Sequence, residues 1–222
     1  FTTDPVITND VVNLFHHLTG YSRDPTFEKL LVAPLNMRQR FLELIEREIE
    51  HREAGRPARI IAKMNQLEDE PMCRALSRAS QAGVPIDIII RGFCCLKPGV
   101  PGWTDNIRIR SIVGRFLEHG RVFHFANGQE DPLQGEFFIG SADWMNRNLS
   151  RRVEAVTPVE SLPLRERLWE SLQIELQDCR QAWQMQPDGS YVRLNPEDAT
   201  NVVARAGAHK TLMKRARQRH AR

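Results

Sequence analysis

The sequence predicts an α/β protein whose sheet is largely parallel and flanked by helices on both faces. Three observations carry that expectation. Short apolar runs alternate with amphipathic runs between Leu30 and Ile90. The apolar runs are near-continuous rather than alternating, as in Ile86–Asp87–Ile88–Ile89–Ile90, which suits strands buried on both sides. Gly55 and Gly83 stand where the amphipathic runs stop, as helix ends require. Strand, helix, strand, helix, strand at this spacing implies right-handed crossovers.

In order, Asn9 is a plausible cap for a helix from Asp10 to Leu18, with Val11, Leu14, Phe15 and Leu18 at helical spacing. That apolar face needs a partner. Residues 22–26 read as a linker, so 1–26 are expected to close a preceding domain. The main domain is expected over 27–200, with a basic tail over 201–222. Leu30 to Ala33 reads as a strand, and Asn36 as the cap of a helix running to about Glu53. Arg59 to Met64 is a second strand, Glu70 to Ala82 a second helix and Ile86 to Ile90 a third strand. A Gly- and Pro-rich loop follows Arg91. Further strands are expected at Asn106–Ile112, Val122–Phe125, Phe137–Ile139 and Arg152–Thr157, then a long helix from Pro163 to about Trp183. The remainder reads as helix ending in a basic tail.

Composition bounds the rest. A chain of 222 residues with 41% hydrophobic and 27% charged residues is ordinary for a globular protein. The net charge of +3 does not argue for nucleic acid as a partner. Seven Lys/Arg, two His and no acid fall between Arg205 and Arg222; a frayed, solvated helix is the simplest reading, with a polyanion or an acidic partner as alternatives. Cys94 and Cys95 are adjacent, which is neither a zinc spacing nor a good disulfide framework. Reduced thiols in a cytoplasmic protein are expected, and peripheral placement at the inner face of a membrane is compatible with that. No apolar run approaches the roughly 20 residues a membrane span needs, so no transmembrane segment is expected. The chain opens on Phe1 with no Met and is expected to be part of a longer protein.

Ligands in such sheets bind at the carboxyl ends of strands, where Lys63, Asn65 and Arg91 fall. Gly114 to Asn148 adds His119, Arg115, Arg121, Ser141 and Arg147 around two apolar runs. Arginine presents a planar fork of donors suited to phosphate, and histidine can attack phosphorus or pass a proton. A phosphate site fits this grouping; so does a partly buried histidine among surface arginines. No Walker-type phosphate loop, Gly-x-Gly-x-x-Gly or nucleophile elbow is present, and no metal site is expected within the chain.

His119–Gly120–Arg121 followed by Gly140–Ser141–Ala142–Asp143 resembles the phospholipase D superfamily signature, His-x-Lys followed by Gly-Ser-x-Asn. Arg121 replaces the lysine, Asp143 replaces the asparagine, and Ala126 stands where the superfamily has an acid. Longer blocks resemble the C-terminal part of bacterial polyphosphate kinases: Lys29-Leu-Leu-Val-Ala-Pro-Leu, Ala62-Lys-Met-Asn, Ile90-Arg-Gly-Phe-Cys-Cys-Leu-Lys-Pro-Gly, Ser111-Ile-Val-Gly-Arg-Phe-Leu-Glu-His and the run from Gly140 to Glu154. The resemblance implies a phospholipase-D-like mixed, largely parallel sheet with a C-terminal helical tail. It implies reversible transfer of the ATP γ-phosphate to inorganic polyphosphate with Mg2+, through a phosphohistidine upstream of Phe1. It places ATP-contacting roles on Arg91 and His119. Lys63, Asn65, Arg115, Arg121 and Arg152 are added here as polyanion contacts. The implied partners are ATP/ADP, polyphosphate, the N-terminal domains of the same protein and further copies of it. The alternatives are a phosphodiesterase or nuclease of the same superfamily, and a non-catalytic polyanion-binding module.

Overall fold

A computed structural model describes residues 2–199 and 201–220. Phe1, Thr200, Ala221 and Arg222, which the sequence reading assigned to the leading segment, the main domain and the tail, lie outside the described residues. The elements in order are α1 (Pro5–Leu18), β1 (Leu31–Ala33), α2 (Met37–Glu53), β2 (Ile60–Met64), α3 (Glu70–Gln81), β3 (Ile86–Ile90), β4 (Ile107–Ile112), β5 (Val122–Phe125), β6 (Glu136–Gly140), α4 (Asn146–Ser150), β7 (Glu154–Pro158), α5 (Leu162–Gln177), β8 (Ala182–Met185), β9 (Tyr191–Arg193), α6 (Val202–Ala206) and α7 (Ala208–His220).

The strands form one sheet in the order β1-β7-β6-β5-β2-β3-β4-β8-β9. Only β2–β3 and β3–β4 pair in parallel; the other neighbours are antiparallel. The sheet is therefore mixed, not largely parallel. The expectation fails because a buried apolar strand reads the same in either direction. The connections decide: β5 to β6 and β6 to β7 have no long crossover helix between them, so they return antiparallel. Of the expected strand–helix–strand–helix–strand run, β2–α3–β3 forms adjacent parallel strands; β1 lies at the edge beside β7, and β4 joins β3 in parallel through a long connection without a helix.

Helices cover both faces, as expected. On β2, Ile60, Ala62 and Met64 pack with Phe41, Ile45 and Leu76 of α2 and α3. Ile61 faces the other side, with Leu172 and Ile174 of α5 and Ala208 of α7. The two-residue period of a strand therefore turns Lys63 toward α5. No helix among the described residues is long and apolar enough to cross a membrane.

Three local expectations change. Helix α1 starts at Pro5, not Asp10: Asp4 accepts from Val6 N and Ile7 N at 2.9 Å each, and Pro5 suits the first turn. Asp10, inside α1, accepts from the backbone N–H groups of Glu28, Lys29 and Leu30 at 3.1, 2.8 and 2.9 Å and so docks the helix. Asn36 makes no side-chain cap; it accepts from Val32 N and donates to Leu30 O, fastening β1 instead. Helix α5 ends at Gln177, because Asp178 accepts from Arg180 N and Gln181 N at 2.7 Å each and turns the chain into β8, which holds Trp183.

The basic tail is a helix docked at its start and along one side, with its remaining cations solvated. Ala208 and His209 are buried, and α7 lies on α5 with Arg215 and Arg219 both paired to Glu170. The pattern that hid this is its density of exposed cations, which leaves few apolar positions to signal a buried stripe.

Candidate phosphate site

Topology gathers four distant segments at one edge of the sheet. Strands β2 and β3 run parallel, so Met64 and Ile90 end together. Strand β5 runs against β2 with Val122 opposite Lys63, which brings the loop before β5 to that edge. Strand β6 runs against β5 with Ile139 opposite Val122, which brings Gly140 and the segment after it. Gly140 permits the close approach of β7: a Cβ there would meet Ala155 O at 2.5 Å. Beyond it, Trp144 is fully buried and its carbonyl accepts from Glu68 N and Asp69 N, which holds Asp143 beside Asn65.

The result is a hydrogen-bonded chain, Arg91–Asn65–Asp143–Arg121–His119. Arg91 Nε donates to Asn65 Oδ1 at 3.1 Å. Asn65 donates to Asp143 Oδ1 from its backbone N at 2.8 Å and from Nδ2 at 3.1 Å. Arg121 spans both Asp143 oxygens, from Nε at 3.1 Å and Nη2 at 3.3 Å. Its Nη1 donates to His119 O at 2.9 Å and meets His119 Nδ1 at 3.2 Å. A guanidinium can only donate, so Nδ1 is the acceptor and the imidazole proton sits on Nε2. Asn65 and Asp143 are buried, whereas His119 is exposed and Arg91 half-buried. Both Nη groups of Arg91 lack a protein partner among the described residues. The chain thus ends at two outward donors, the Arg91 fork and the His119 Nε2–H, on a rigid buried base.

The two departures from the phospholipase D signature meet here. Arg121 and Asp143 form an ion pair that lysine and asparagine could not, so the changes compensate each other. A groove of about 810 Å³ runs from this point along α1 and the ends of β5 to β7, with His119, Arg121 and Ser141 beside the apolar Val11, Leu14 and Ile139.

Lys63 is spent elsewhere. It is 8% exposed and lies between Glu118, at 2.6 Å, and Glu175. Burial would lower its pKa, but Glu175 and Glu118 outweigh that and hold the ammonium above the ordinary lysine range. Burial likewise opposes ionisation of Glu118, yet Lys63 and then His209 hold it below the usual carboxylate range. Burial pushes Glu175 up to about 7 against the pull of Lys63. His209 closes the group: its Nε2 lies 2.7 Å from Glu118 Oε1, while Nδ1 faces Phe116 N at 3.3 Å and Gln181 Nε2 at 3.1 Å. Both of those can only donate, so Nδ1 accepts and Nε2 is directed at Glu118.

Of the residues marked in the sequence, Arg91, Asn65, Arg121 and His119 are brought together. Lys63 is adjacent, but it is closed off by carboxylates and presents no free cation to a polyanion. Arg115 is exposed, with its guanidinium 5.5 Å from the Phe116 ring centre, and makes no bond to the chain of five. Arg152 is exposed and 3.9 Å from Glu154, also outside it. Sequence reasoning missed Asp143 as the hub, and Glu118, Glu175 and His209 altogether. Glu175 left a signal: it falls three residues after Leu172, on the apolar stripe of α5, where an acid needs a partner. His209 left none.

Comparison with known proteins places the chain in a family. Residues 30–205 match the family model described as polyphosphate kinase C-terminal domain 2. The chain is 56% identical to the polyphosphate kinase of Thermosynechococcus vestitus over 206 residues, 93% of this chain and 27% of that protein. The chain thus spans about a quarter of the length of such relatives. The crystal structure of polyphosphate kinase from Porphyromonas gingivalis superposes with a TM-score of 0.87 at 38% identity, covering 98% of this chain and 33% of that one. Nuc, a phospholipase D family member from Salmonella typhimurium, superposes with a TM-score of 0.51 at 17% identity over 71% of this chain and 97% of its own, a likeness of fold. With the family model spanning most of the chain and the fold reproduced in a solved relative, this chain belongs to the polyphosphate kinase family, whose phospholipase-D-like C-terminal domain it carries.

Proposed function

We propose that, within a longer polyphosphate kinase, this domain supplies the nucleotide- and phosphate-holding side of a site that moves the ATP γ-phosphate reversibly to inorganic polyphosphate. The observation that carries the reading is the pair of outward donors, Arg91 and His119, fixed to each other through Asn65, Asp143 and Arg121. Phosphoryl transfer calls for placement and charge neutralisation more than for covalent chemistry by the protein. The two Nη groups of Arg91 would grip two phosphate oxygens. His119 would donate a hydrogen bond from Nε2 to a third. The buried base keeps both from reorganising when charge develops.

The phosphohistidine would come from outside residues 1–222, as would the domains that complete the site and any contact between copies of the enzyme. Among the described residues no three His, Cys, Asp or Glu side chains converge on a metal-holding point. Mg2+ would arrive with the phosphates of the nucleotide.

The test is Arg91→Ala in the full-length enzyme. Loss of a charged hydrogen bond of roughly 1.5–3 kcal/mol should lower ATP turnover at least about tenfold. Turnover within about twofold of the parent would remove Arg91 from the role. Mapping the acid-labile label left by radioactive ATP should place it outside residues 1–222; a label on His119 would overturn the division of labour.

A further inference from the structure

A second groove, of about 1080 Å³, takes Arg115 of the loop that carries His119 into its lining and shares none of the residues that line the first. Six cations line it: Arg115, Arg180, Arg205, Lys210, Lys214 and Arg217. No carboxylate lines it. None of the six makes an ion pair among the described residues, whereas Arg215 and Arg219, on another side of the same helix, are both neutralised by Glu170. Helix α7 thus sorts its charges: one side is paired to the protein and one side is left unpaired. Unpaired like charges facing a common groove repel one another, and an anion is the partner that relieves this.

The shape and chemistry narrow the anion. Lys210, Lys214 and Arg217 follow one another at i, i+4 and i+7, a line of about 10 Å along α7. A line of charge fits an extended polyanion better than a single phosphate. No Phe, Tyr or Trp lines the groove, so it offers no platform on which bases could stack. Charge without stacking favours a polyanion that has no bases. The groove also joins the proposed site through structure: Arg115 belongs to the loop that carries His119, and His209, on the groove wall, holds Phe116 N and Glu118.

We propose that this groove is a second binding site for the inorganic polyphosphate chain, holding a stretch of it away from the reacting end. The proposal rests on the polyphosphate reading above. A long chain would engage both grooves at once and gain affinity by effective concentration, whereas a short one would reach only the reacting end.

The experiment uses the full-length enzyme with Lys210→Ala, Lys214→Ala and Arg217→Ala combined; all three side chains are exposed and alanine favours the helix. Affinity for long-chain polyphosphate should fall at least about tenfold and its salt dependence should become shallower, because fewer counterions are released. Turnover of short-chain polyphosphate and the KM for ATP should stay at parent values, which also shows that the variant is folded. Long-chain affinity within twofold of the parent would overturn the groove. So would a variant that loses binding only of a single-stranded DNA homopolymer, which would make the groove a nucleic-acid site. A parent enzyme that neither extends nor shortens polyphosphate would instead bring down the substrate reading, and the groove proposal with it.

Discussion

Two polar clusters sit side by side at one edge of the sheet, and they differ in what they leave unspent. The first runs Arg91–Asn65–Asp143–Arg121–His119 and ends in donors that face outward. The second, Lys63 with Glu118, Glu175 and His209, is buried and closed: its lysine meets two carboxylates, and one of those meets a histidine. Glu118 and His119 are neighbours in sequence, yet one belongs to the closed cluster and the other to the open one. The closed cluster therefore anchors the loop whose next residue is offered to a ligand. A cation at a strand end is a phosphate ligand only where the opposite face of the sheet brings no acid to it. Lys63 points toward α5 and finds Glu175; Arg91 finds only an amide.

The comparison is broken most sharply by removing the central cation of each cluster. Lys63→Met strands two carboxylates in a buried site, and breaking such a group costs about 3–5 kcal/mol. Arg121→Gln leaves Asp143 with both Asn65 donors and should cost less, about 1–3 kcal/mol. Denaturant unfolding of the two variants measures this directly. If Lys63→Met were the milder change, the closed cluster would not be the stabilising one.

Next in size is the effect of α7. Removing residues 207–222 takes away His209, the burial of Ala208 and both arginines on Glu170. We expect a loss of about 2–3 kcal/mol, and at roughly 2–4 °C per kcal/mol for a chain of this size a fall in Tm of several degrees. His209→Ala alone should give part of that fall. An unchanged melt would mean that the closed cluster is complete without its histidine.

How much of this was legible in the sequence follows the same division. The central strands, their two covering layers and four residues of the open cluster, Arg91, Asn65, Arg121 and His119, could be placed, because apolar runs and polar residues at their ends are local signals; Asp143, the hub, was not. Strand direction beyond β4 was not local: the antiparallel return of β5, β6 and β7 depends on what the connections contain. The closed cluster joins residues 63, 118, 175 and 209, which no spacing rule relates. The role of α7 was obscured because its buried residues are small or polar, Ala208 and His209, amid exposed cations. Arg121 and Asp143 looked like two departures from a motif, and only their pairing shows them to be one change.

The smallest predicted effect is one of pH, and it separates the two clusters without dismantling either. Burial raises Glu175 from an ordinary 4.5 to about 7 in the folded protein. Between those values the folded state binds more protons than the unfolded one, so stability falls as pH rises. The contribution of Glu175 is complete below about 4.5 and is lost as pH passes through about 7. Glu118 is lowered, so its contribution runs the other way: it is present above its ordinary value and lost in more acidic solution. Glu175→Gln keeps the shape and removes the titration. The parent should lose more stability than the variant between pH 5 and pH 8, by an amount on the order of 1–2 kcal/mol. Paired denaturant curves at the two values supply the number. An equal change in both proteins would mean that Glu175 is ionised throughout, and that Lys63 holds two full negative charges at the edge of the phosphate site.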